Sequence, residues 1–189
     1  VDPITAAAHI HIGLQEILAR EISPMSELVI TCGAFNAGDA GNAIPQSATM
    51  QGTIRVFDKK TEELAKKRIT EIASGIAQTY RCAATTTFGR PSPAVFNDKE
   101  FMEQCVEYTK QTLPQAQLYG GAHGMGSEDF GSISQACTAN YMMIGAAAGP
   151  LNECYGQHNP HVRFDENALP MSCALYASVA MNWLDDNAK

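Results

Sequence analysis

The sequence predicts a mixed fold of helices and strands, of the α/β (α+β) class. It predicts two parts, each of which lacks strands that a complete sheet would need. Three observations lead to this prediction. In the first half, helix-like and strand-like stretches follow one another in the order α-β-β-α-β. The periodicity then stops at the proline-rich stretch "GRPSPAVFND", residues 89–98. The second half shows helical periodicity but only one clear strand.

The first half begins with a helix. Asp2 offers a side-chain acceptor at the helix start, Pro3 suits the first helical position, and the Ser23–Pro24 pair ends the helix. A strand-like run at residues 27–35 then leads into the Gly- and Asn-rich loop "NAGDAGNAIP". The helix positions that recur at helical spacing are Ile4, Ala7, Ala8, His11, Leu14, Ile17 and Leu18.

Residues 47–57 alternate strictly between apolar and polar side chains, which indicates a strand with one buried face. Arg55 stands on the polar face and can therefore reach a partner. Asp58 begins a second helix, and "AATTTF" (residues 83–88) is a further β-rich stretch. One more strand ahead of residue 1 would complete a βαββαβ, ferredoxin-like unit. The apolar side of the second helix carries Ala65, Ile69, Ile72 and Ile76.

In the second half, Asn97 is the expected N-cap of a third helix, with Glu100 three residues on as in a capping box. Ser127 is the expected cap of a short helix, and "NYMMIG" (residues 140–145) is a short strand. Because one strand cannot make a sheet, we expect this half to be a piece of a larger α/β domain. The last helix shows Leu169, Cys173, Tyr176, Ala180 and Trp183 on one face.

The composition and charge of the chain exclude some classes of partner and favour one cellular compartment. Hydrophobic residues make up 45% of the 189 residues, so the chain can bury a core. The net charge of -7 without a basic cluster argues against nucleic acid and anionic membranes as partners. The chain starts without signal-peptide features and resembles the middle of a protein. Six scattered cysteines without a CxxC pair favour free thiols in a reducing cytoplasm.

Five stretches carry a resemblance to a known family. They are "VDPITAAAHIHIGLQEILAREISP", "GNAIPQSATMQGTIRVFD", "GSEDFGSI", "MMIGAAAG" and "HNPHVRFDENAL". In this order and spacing they resemble the dimetal metallopeptidase family of the aminoacylases and glutamate carboxypeptidases. The chain is most similar to the amidohydrolase branch, which includes hippurate hydrolase and the N-acyl-amino-acid hydrolases.

The resemblance implies a domain division. Residues 1–96 correspond to the lid, or dimerisation, domain without its first strand, and residues 97–189 to the C-terminal portion of the catalytic domain. The family's "CGHD"-type segment, its Glu-Glu pair with the catalytic base, and its lid histidine all precede the point where this chain begins. We therefore expect a C-terminal fragment with no catalytic residue of its own.

The resemblance assigns His158 as the last metal ligand of the family. Zinc-type ions need neutral imidazole in a fixed orientation. His161, three residues on, does not match the ligand position and is expected at the surface or behind the ligand. A rival reading pairs Cys154 with His158 as nucleophile and base. No third orienting group is evident for that pair, and Cys154 lies in a loop.

The resemblance also implies substrate-binding residues. Arg55 would hold the substrate's carboxylate with its planar fork, and Asn42 would polarise the scissile carbonyl, often from the partner subunit. Glu128 would shape the substrate cleft, and Gly145 would let substrate approach the backbone. Each has a plainer alternative. For Arg55 it is a solvated strand face, and for Asn42 it is turn chemistry. For Glu128 it is favourable charge at a helix start, and for Gly145 it is a strand-to-loop transition. His9, His11 and His123 are expected to be ordinary helix and loop histidines.

For a complete family member the resemblance implies metal-assisted hydrolysis of an N-acyl amino acid, with two divalent ions (Zn, or Mn, Co or Ni) and an upstream glutamate as base. We expect a homodimer through the lid. We also expect the isolated chain to be inactive and to retain no metal. The alternative is a non-catalytic dimerisation or binding module.

Overall fold

The structure is a computed structural model, and it describes residues 1–121 and 124–188. The predicted mixed α/β fold is confirmed: the structure combines helices with a two-stranded antiparallel sheet. No helix in these ranges has both the length and the hydropathy needed to cross a membrane. In chain order the elements are α1 (Pro3–Glu16), a π-helical turn (Ile17–Glu21), β1 (Leu28–Ala37), β2 (Ala48–Val56), α2 (Lys59–Thr79), α3 (Lys99–Thr112), α4 (Gly131–Ala136), a 3₁₀ turn (Leu151–Glu153) and α5 (Ala168–Asn187).

The chain divides into two compact units. The first unit comprises Val1–Ala94 together with Met125–Ser127. The second comprises Val95–Gly124 together with Glu128–Lys189. The division into a lid domain at residues 1–96 and a catalytic portion at residues 97–189 stays a prediction.

The first helix begins as the sequence predicts. Asp2 accepts hydrogen bonds from the Ile4 N–H at 2.9 Å and from the Thr5 hydroxyl at 2.6 Å. The bond from the Thr5 hydroxyl is the main cause that holds the pKa of Asp2 below its usual value. Helical structure continues through the π-helical turn to Glu21, so the Ser23–Pro24 pair does mark its end.

β1 and β2 form an antiparallel hairpin that runs from Leu28 opposite Val56 to Ala37 opposite Ala48. A β-bulge interrupts the register at Gly33. Opposite the bulge, the backbones approach so closely that a Cβ added to Gly52 would lie 2.0 Å from the Thr31 carbonyl oxygen. The sequence therefore needs glycine at position 52 to let the two strands meet.

The helices α1 and α2 form the core of the first unit with one side of the hairpin. Ile10, Ala73 and Ala77 are its buried residues. Ala65, predicted on the apolar side of α2, is fully buried. Leu14, Met50 and Ile76 pack against this core. The amphipathic pattern of α2 thus predicted the correct face.

The β-rich stretch at residues 83–88 is not a strand in the structure, so that prediction is wrong. Among the described residues, β1 and β2 pair only with each other. A strand needs a neighbour whose backbone groups take its hydrogen bonds, and β propensity does not supply one. Instead Ala84 packs against the helical core, and the Phe88 ring lies 5.8 Å from the Lys66 ammonium.

In the second unit, α3 packs on α5 through polar and aromatic contacts. The Tyr108 hydroxyl donates a hydrogen bond to Asp186 at 2.6 Å. The Phe101 ring meets the Trp183 ring edge-on, with centroids 6.3 Å apart. Cys105 and Tyr108 are buried.

Two predicted N-caps are wrong. Asp98, not Asn97, caps α3, and its carboxylate accepts the Phe101 N–H at 2.9 Å. Asp98 stands one residue nearer the helix, where its extended backbone brings the carboxylate over the first-turn amides. α4 begins after Phe130, which makes no side-chain cap bond, and not at Ser127.

The face proposed for the last helix is mostly exposed. Leu169 is 65% and Tyr176 is 82% exposed, whereas Leu175 is buried. Because apolar residues surround α5 on all sides, periodicity could not select the face that packs.

Candidate functional site

His158 lies in a tight loop with an unusual backbone. Its φ is 68°, in the left-handed region that residues other than glycine seldom adopt. The loop is closed by a bond from the Asn159 N–H to the Gly156 carbonyl at 3.2 Å. The Asn159 side chain accepts the His161 N–H at 2.9 Å. These bonds hold an exposed imidazole on a fixed backbone, as a ligand or a binding group requires.

His161 is used differently from His158. Its ring lies against the Tyr155 ring, with centroids 5.5 Å apart. Both rings border an open depression of about 310 Å³, which Pro160, Val162 and Arg163 also line. The two histidines of the loop therefore occupy different positions. His158 has the left-handed backbone conformation, and His161 lines the depression.

The described residues do not form a metal site by themselves. No group of three or more His, Cys, Asp or Glu side chains among them could hold an ion. Zinc-type sites take three or four protein ligands. His123 lies outside the described residues. His158 thus has no set of co-ligands in the part of the chain that the structure describes.

Glu128 is fixed by three donors. One carboxylate oxygen accepts the N–H groups of Asp129 at 2.9 Å and Phe130 at 3.4 Å. The other accepts the Tyr141 hydroxyl at 3.0 Å. Hydrogen bonding with Asp129, and then with Tyr141, lowers the pKa of Glu128. The same contact with Glu128 raises the pKa of Tyr141. Glu128 is therefore a carboxylate at neutral pH.

The run "NYMMIG" is not a strand in the structure, which corrects that prediction. It has no neighbouring strand among the described residues, and a side chain takes that place. The Asn97 amide donates to the Tyr141 carbonyl at 3.0 Å and accepts the Tyr141 N–H at 2.7 Å. The Asp98 N–H donates to the Ala139 carbonyl at 3.0 Å. Asn97 thus holds Tyr141 as a paired strand residue would.

Arg55 and Asn42 lie at opposite ends of the hairpin. Arg55 is opposite Val29 near the open end, half-buried, and its guanidinium donates to the Met125 carbonyl at 2.5 Å. Asn42 is exposed in the connecting loop. At about 3.3 Å per strand residue, the run from Ala48 to Arg55 alone spans roughly 23 Å. One copy of the chain does not bring these two side chains together.

Gly145 belongs to a segment that is tied to the His158 loop. Ala147 forms an antiparallel bridge with Phe164, and the Asp165 N–H donates to the Ala146 carbonyl at 3.0 Å. Gly145 is exposed, and a Cβ added there would meet nothing within 4 Å. The surrounding structure therefore leaves room beside this backbone.

The other histidines and Cys154 have local contacts. His9 stacks near Tyr80 and His11 near Phe35, with ring centroids 4.9 and 6.3 Å apart. The Cys154 thiol contacts the Gly149 carbonyl oxygen at 3.5 Å. A nucleophile needs its base within hydrogen-bond reach, and the contact recorded for this thiol is a carbonyl.

Sequence reasoning missed Tyr141 and gave Asn97 the wrong role. Asn97 had a visible signal, because an Asx residue next to Asp98 offers two candidates for one cap. For Tyr141 no local signal exists: its partner, Glu128, is thirteen residues away and meets it only in the folded chain.

Comparison with known proteins identifies the family. The profile of "Peptidase family M20/M25/M40" matches residues 2–182. The chain belongs to this family. The resemblance drawn from the sequence is thereby confirmed, and the M20 relatives are peptidases and amidohydrolases.

Two curated M20 relatives are similar over nearly the whole chain. The "IAA-amino acid hydrolase ILR1-like 2" of Arabidopsis thaliana is 32% identical over 100% of this chain and 43% of its own length. The "Hippurate hydrolase" of Campylobacter jejuni is 30% identical over 97% of this chain and 47% of its own length. The chain spans less than half the length of these relatives.

The M20 fold is confirmed by a solved structure. The YXEP protein of Bacillus subtilis, described as a dinuclear metal binding peptidase, superposes with a TM-score of 0.78 at 27% identity. The match covers 98% of this chain and 47% of that one.

Proposed function

We propose that this chain acts as the C-terminal part of a metal-dependent amidohydrolase that cleaves the amide bond of N-acyl amino acids such as hippurate. The observation that carries the proposal is the M20 match over residues 2–182, with relatives that are named for this chemistry. The strained, exposed His158 in the last matching stretch supports it, because such a backbone is costly unless a site uses it.

In this proposal His158 is a metal ligand whose co-ligands come from outside the described residues, since those residues contain no cluster of three. The relatives extend well beyond the region that matches this chain, which leaves room for such ligands. The ions are divalent, with zinc, manganese, cobalt and nickel as the candidates.

Arg55 is the proposed carboxylate-binding residue. Its guanidinium has five N–H donors, and the bond to the Met125 carbonyl uses one nitrogen. Asn42 lies too far along the hairpin to serve the same small substrate from the same copy. The two residues would act together only if two copies of the chain supplied one each, which accords with a homodimer through the first unit.

We place the protein in the cytoplasm because none of the six cysteines forms a disulfide, although two of them are exposed. The small substrate would be the only partner besides the second copy.

The experiment compares two proteins: the 189-residue chain and the product of the full open reading frame that encodes it. Each is loaded with zinc or manganese, dialysed, analysed for metal by elemental mass spectrometry, and assayed on hippurate. We expect the longer protein to bind metal and release glycine, and the 189-residue chain to do neither. A longer protein that binds metal but hydrolyses no N-acyl amino acid would refute the proposal. Turnover by the rigorously purified chain would refute the assignment of the ligands and base to another segment.

A second candidate, a non-catalytic dimerisation or binding module, is favoured by the missing ligand cluster among the described residues. An open reading frame that encodes no further metal ligands, with a product that dimerises in sedimentation but stays inactive, would support it.

A further inference from the structure

Both oxygens of the Glu128 carboxylate accept hydrogen bonds from the protein. One oxygen closes the turn 128–130 by accepting two backbone N–H groups, and the other accepts the Tyr141 hydroxyl. Glu128 is half-buried, whereas its neighbour Asp129 is exposed. A carboxylate with these three donors is held in one rotamer and in its charged form.

Tyr141 is itself held in place at both ends. Its backbone is bound by the Asn97 amide through two hydrogen bonds, and its ring lies 5.3 Å from the Phe130 ring. Hydrogen bonds therefore connect Asn97 through Tyr141 to Glu128 within one unit. The Asn97 bonds fix the Tyr141 backbone and the Phe130 ring packs beside the Tyr141 ring, so the hydroxyl reaches the Glu128 carboxylate from a defined position.

We propose that Tyr141 is a positioning residue: its hydroxyl fixes Glu128 so that Glu128 shapes the turn 128–130 and does not itself contact the substrate. The proposal keeps the cleft-shaping role that the family resemblance implied for Glu128 and adds Tyr141 as the residue that fixes this carboxylate. It rests on the proposed function only in taking this turn to border the substrate. The geometric part, that Tyr141 controls Glu128, stands independently.

The first test is spectroscopic and uses the 189-residue chain. Carbon-13 NMR titrations follow the Glu128 carboxyl and the Tyr141 ring. We expect Tyr141→Phe to raise the pKa of Glu128, and Glu128→Gln to bring the pKa of Tyr141 down towards its usual value. Tyr119→Phe is the matched control, because the exposed Tyr119 hydroxyl binds Gln117 and not Glu128. Circular dichroism and the fluorescence of Trp183 check that each variant is folded.

If the pKa of Glu128 is the same in Tyr141→Phe as in Tyr119→Phe, the proposal is wrong. Should Tyr141→Phe fail to fold, Glu128→Gln still decides the point, since it keeps the tyrosine and the volume of the acid. An unchanged Tyr141 pKa in that variant would overturn the proposal equally.

The second test uses the product of the full open reading frame. We expect Tyr141→Phe to lower kcat/KM on hippurate by roughly 10- to 150-fold, which corresponds to the loss of one hydrogen bond to a charged group. Because we expect the pKa of Glu128 to rise in Tyr141→Phe, the acidic limb of the pH–rate profile of this variant should move to higher pH. If the NMR titrations show that Tyr141 affects the pKa of Glu128 but Tyr141→Phe leaves kcat/KM unchanged, the positioning role is rejected. Inactivity of the unmodified longer protein would reject the proposed function and leave the NMR result to decide Tyr141 alone.

Discussion

Replacement of Gly52 by alanine should disrupt the β1–β2 hairpin. A Cβ at this position would lie 2.0 Å from the Thr31 carbonyl oxygen, 3.1 Å from the Thr31 carbonyl carbon and 3.3 Å from the Cys32 Cα. All three atoms are backbone, so no side-chain rotation can relieve the overlap. The strands would have to separate by about an ångström to restore a normal contact.

The size of the effect follows from this geometry. Overpacking in a rigid environment costs about 1–3 kcal/mol, and the weakened hydrogen bonds of the hairpin add about 1 kcal/mol each. With one weakened hydrogen bond, we therefore expect the free energy of opening the hairpin to fall by about 2–4 kcal/mol, which is roughly 30- to 900-fold in its opening equilibrium.

Amide hydrogen exchange is the appropriate assay, because the two units need not unfold in one transition. Protection of the β1 and β2 amides should fall by that factor in Gly52→Ala. Gly33→Ala is the matched control: Gly33 lies in the bulge across the hairpin, and a Cβ there meets nothing within 4 Å. Equal protection in the two variants would refute the reasoning. The result also concerns the site, since Arg55 follows three residues later in β2.

Three further predictions concern a cap, a buried hydroxyl and the proposed site. Asp98→Ala should destabilise the second unit by roughly 1 kcal/mol through loss of the α3 N-cap, measured by urea unfolding with Trp183 fluorescence. The hydrogen bond to Asp186 raises the pKa of Tyr108 to about 12. Because the folded-state pKa lies above the unfolded one, that stability is present below pH 10 and is lost as the pH rises towards 12; Tyr108→Phe should flatten this dependence. Arg55→Ala in the full-length protein should lower kcat/KM for hippurate at least tenfold, and much less for its C-terminal amide.

Each of these has a clear contrary result. Asn97→Ala, which leaves the α3 cap in place, should not reproduce the loss of helix seen with Asp98→Ala; circular dichroism can compare the two. Equal stability of the unmodified chain at pH 9 and pH 12 would contradict the Tyr108 prediction. Equal losses on the acid and the amide would rule out carboxylate binding by Arg55.

Local patterns in the sequence determined the elements whose stability is local. The Asp2–Pro3 start of α1, the alternation in β2 and the apolar side of α2 each appear in the structure where the sequence predicts them. The hydrogen bonds and caps of the helices α1 and α2 join residues a few positions apart, so the sequence contains their cause. The alternation of β2 shows which of its faces is apolar, whereas its hydrogen bonds go to β1. The family could also be predicted, because its motifs fill the chain in order.

Only the tertiary structure decided which β-rich stretches pair with another strand and which distant polar side chains form hydrogen bonds. Residues 83–88 and "NYMMIG" have strand propensity but no neighbouring strand among the described residues. A strand is completed by backbone groups from elsewhere in the chain, and local sequence does not specify them. Tyr141 meets Glu128 for the same reason: hydrogen bonds between residues far apart in sequence exist only once folding has placed their backbones.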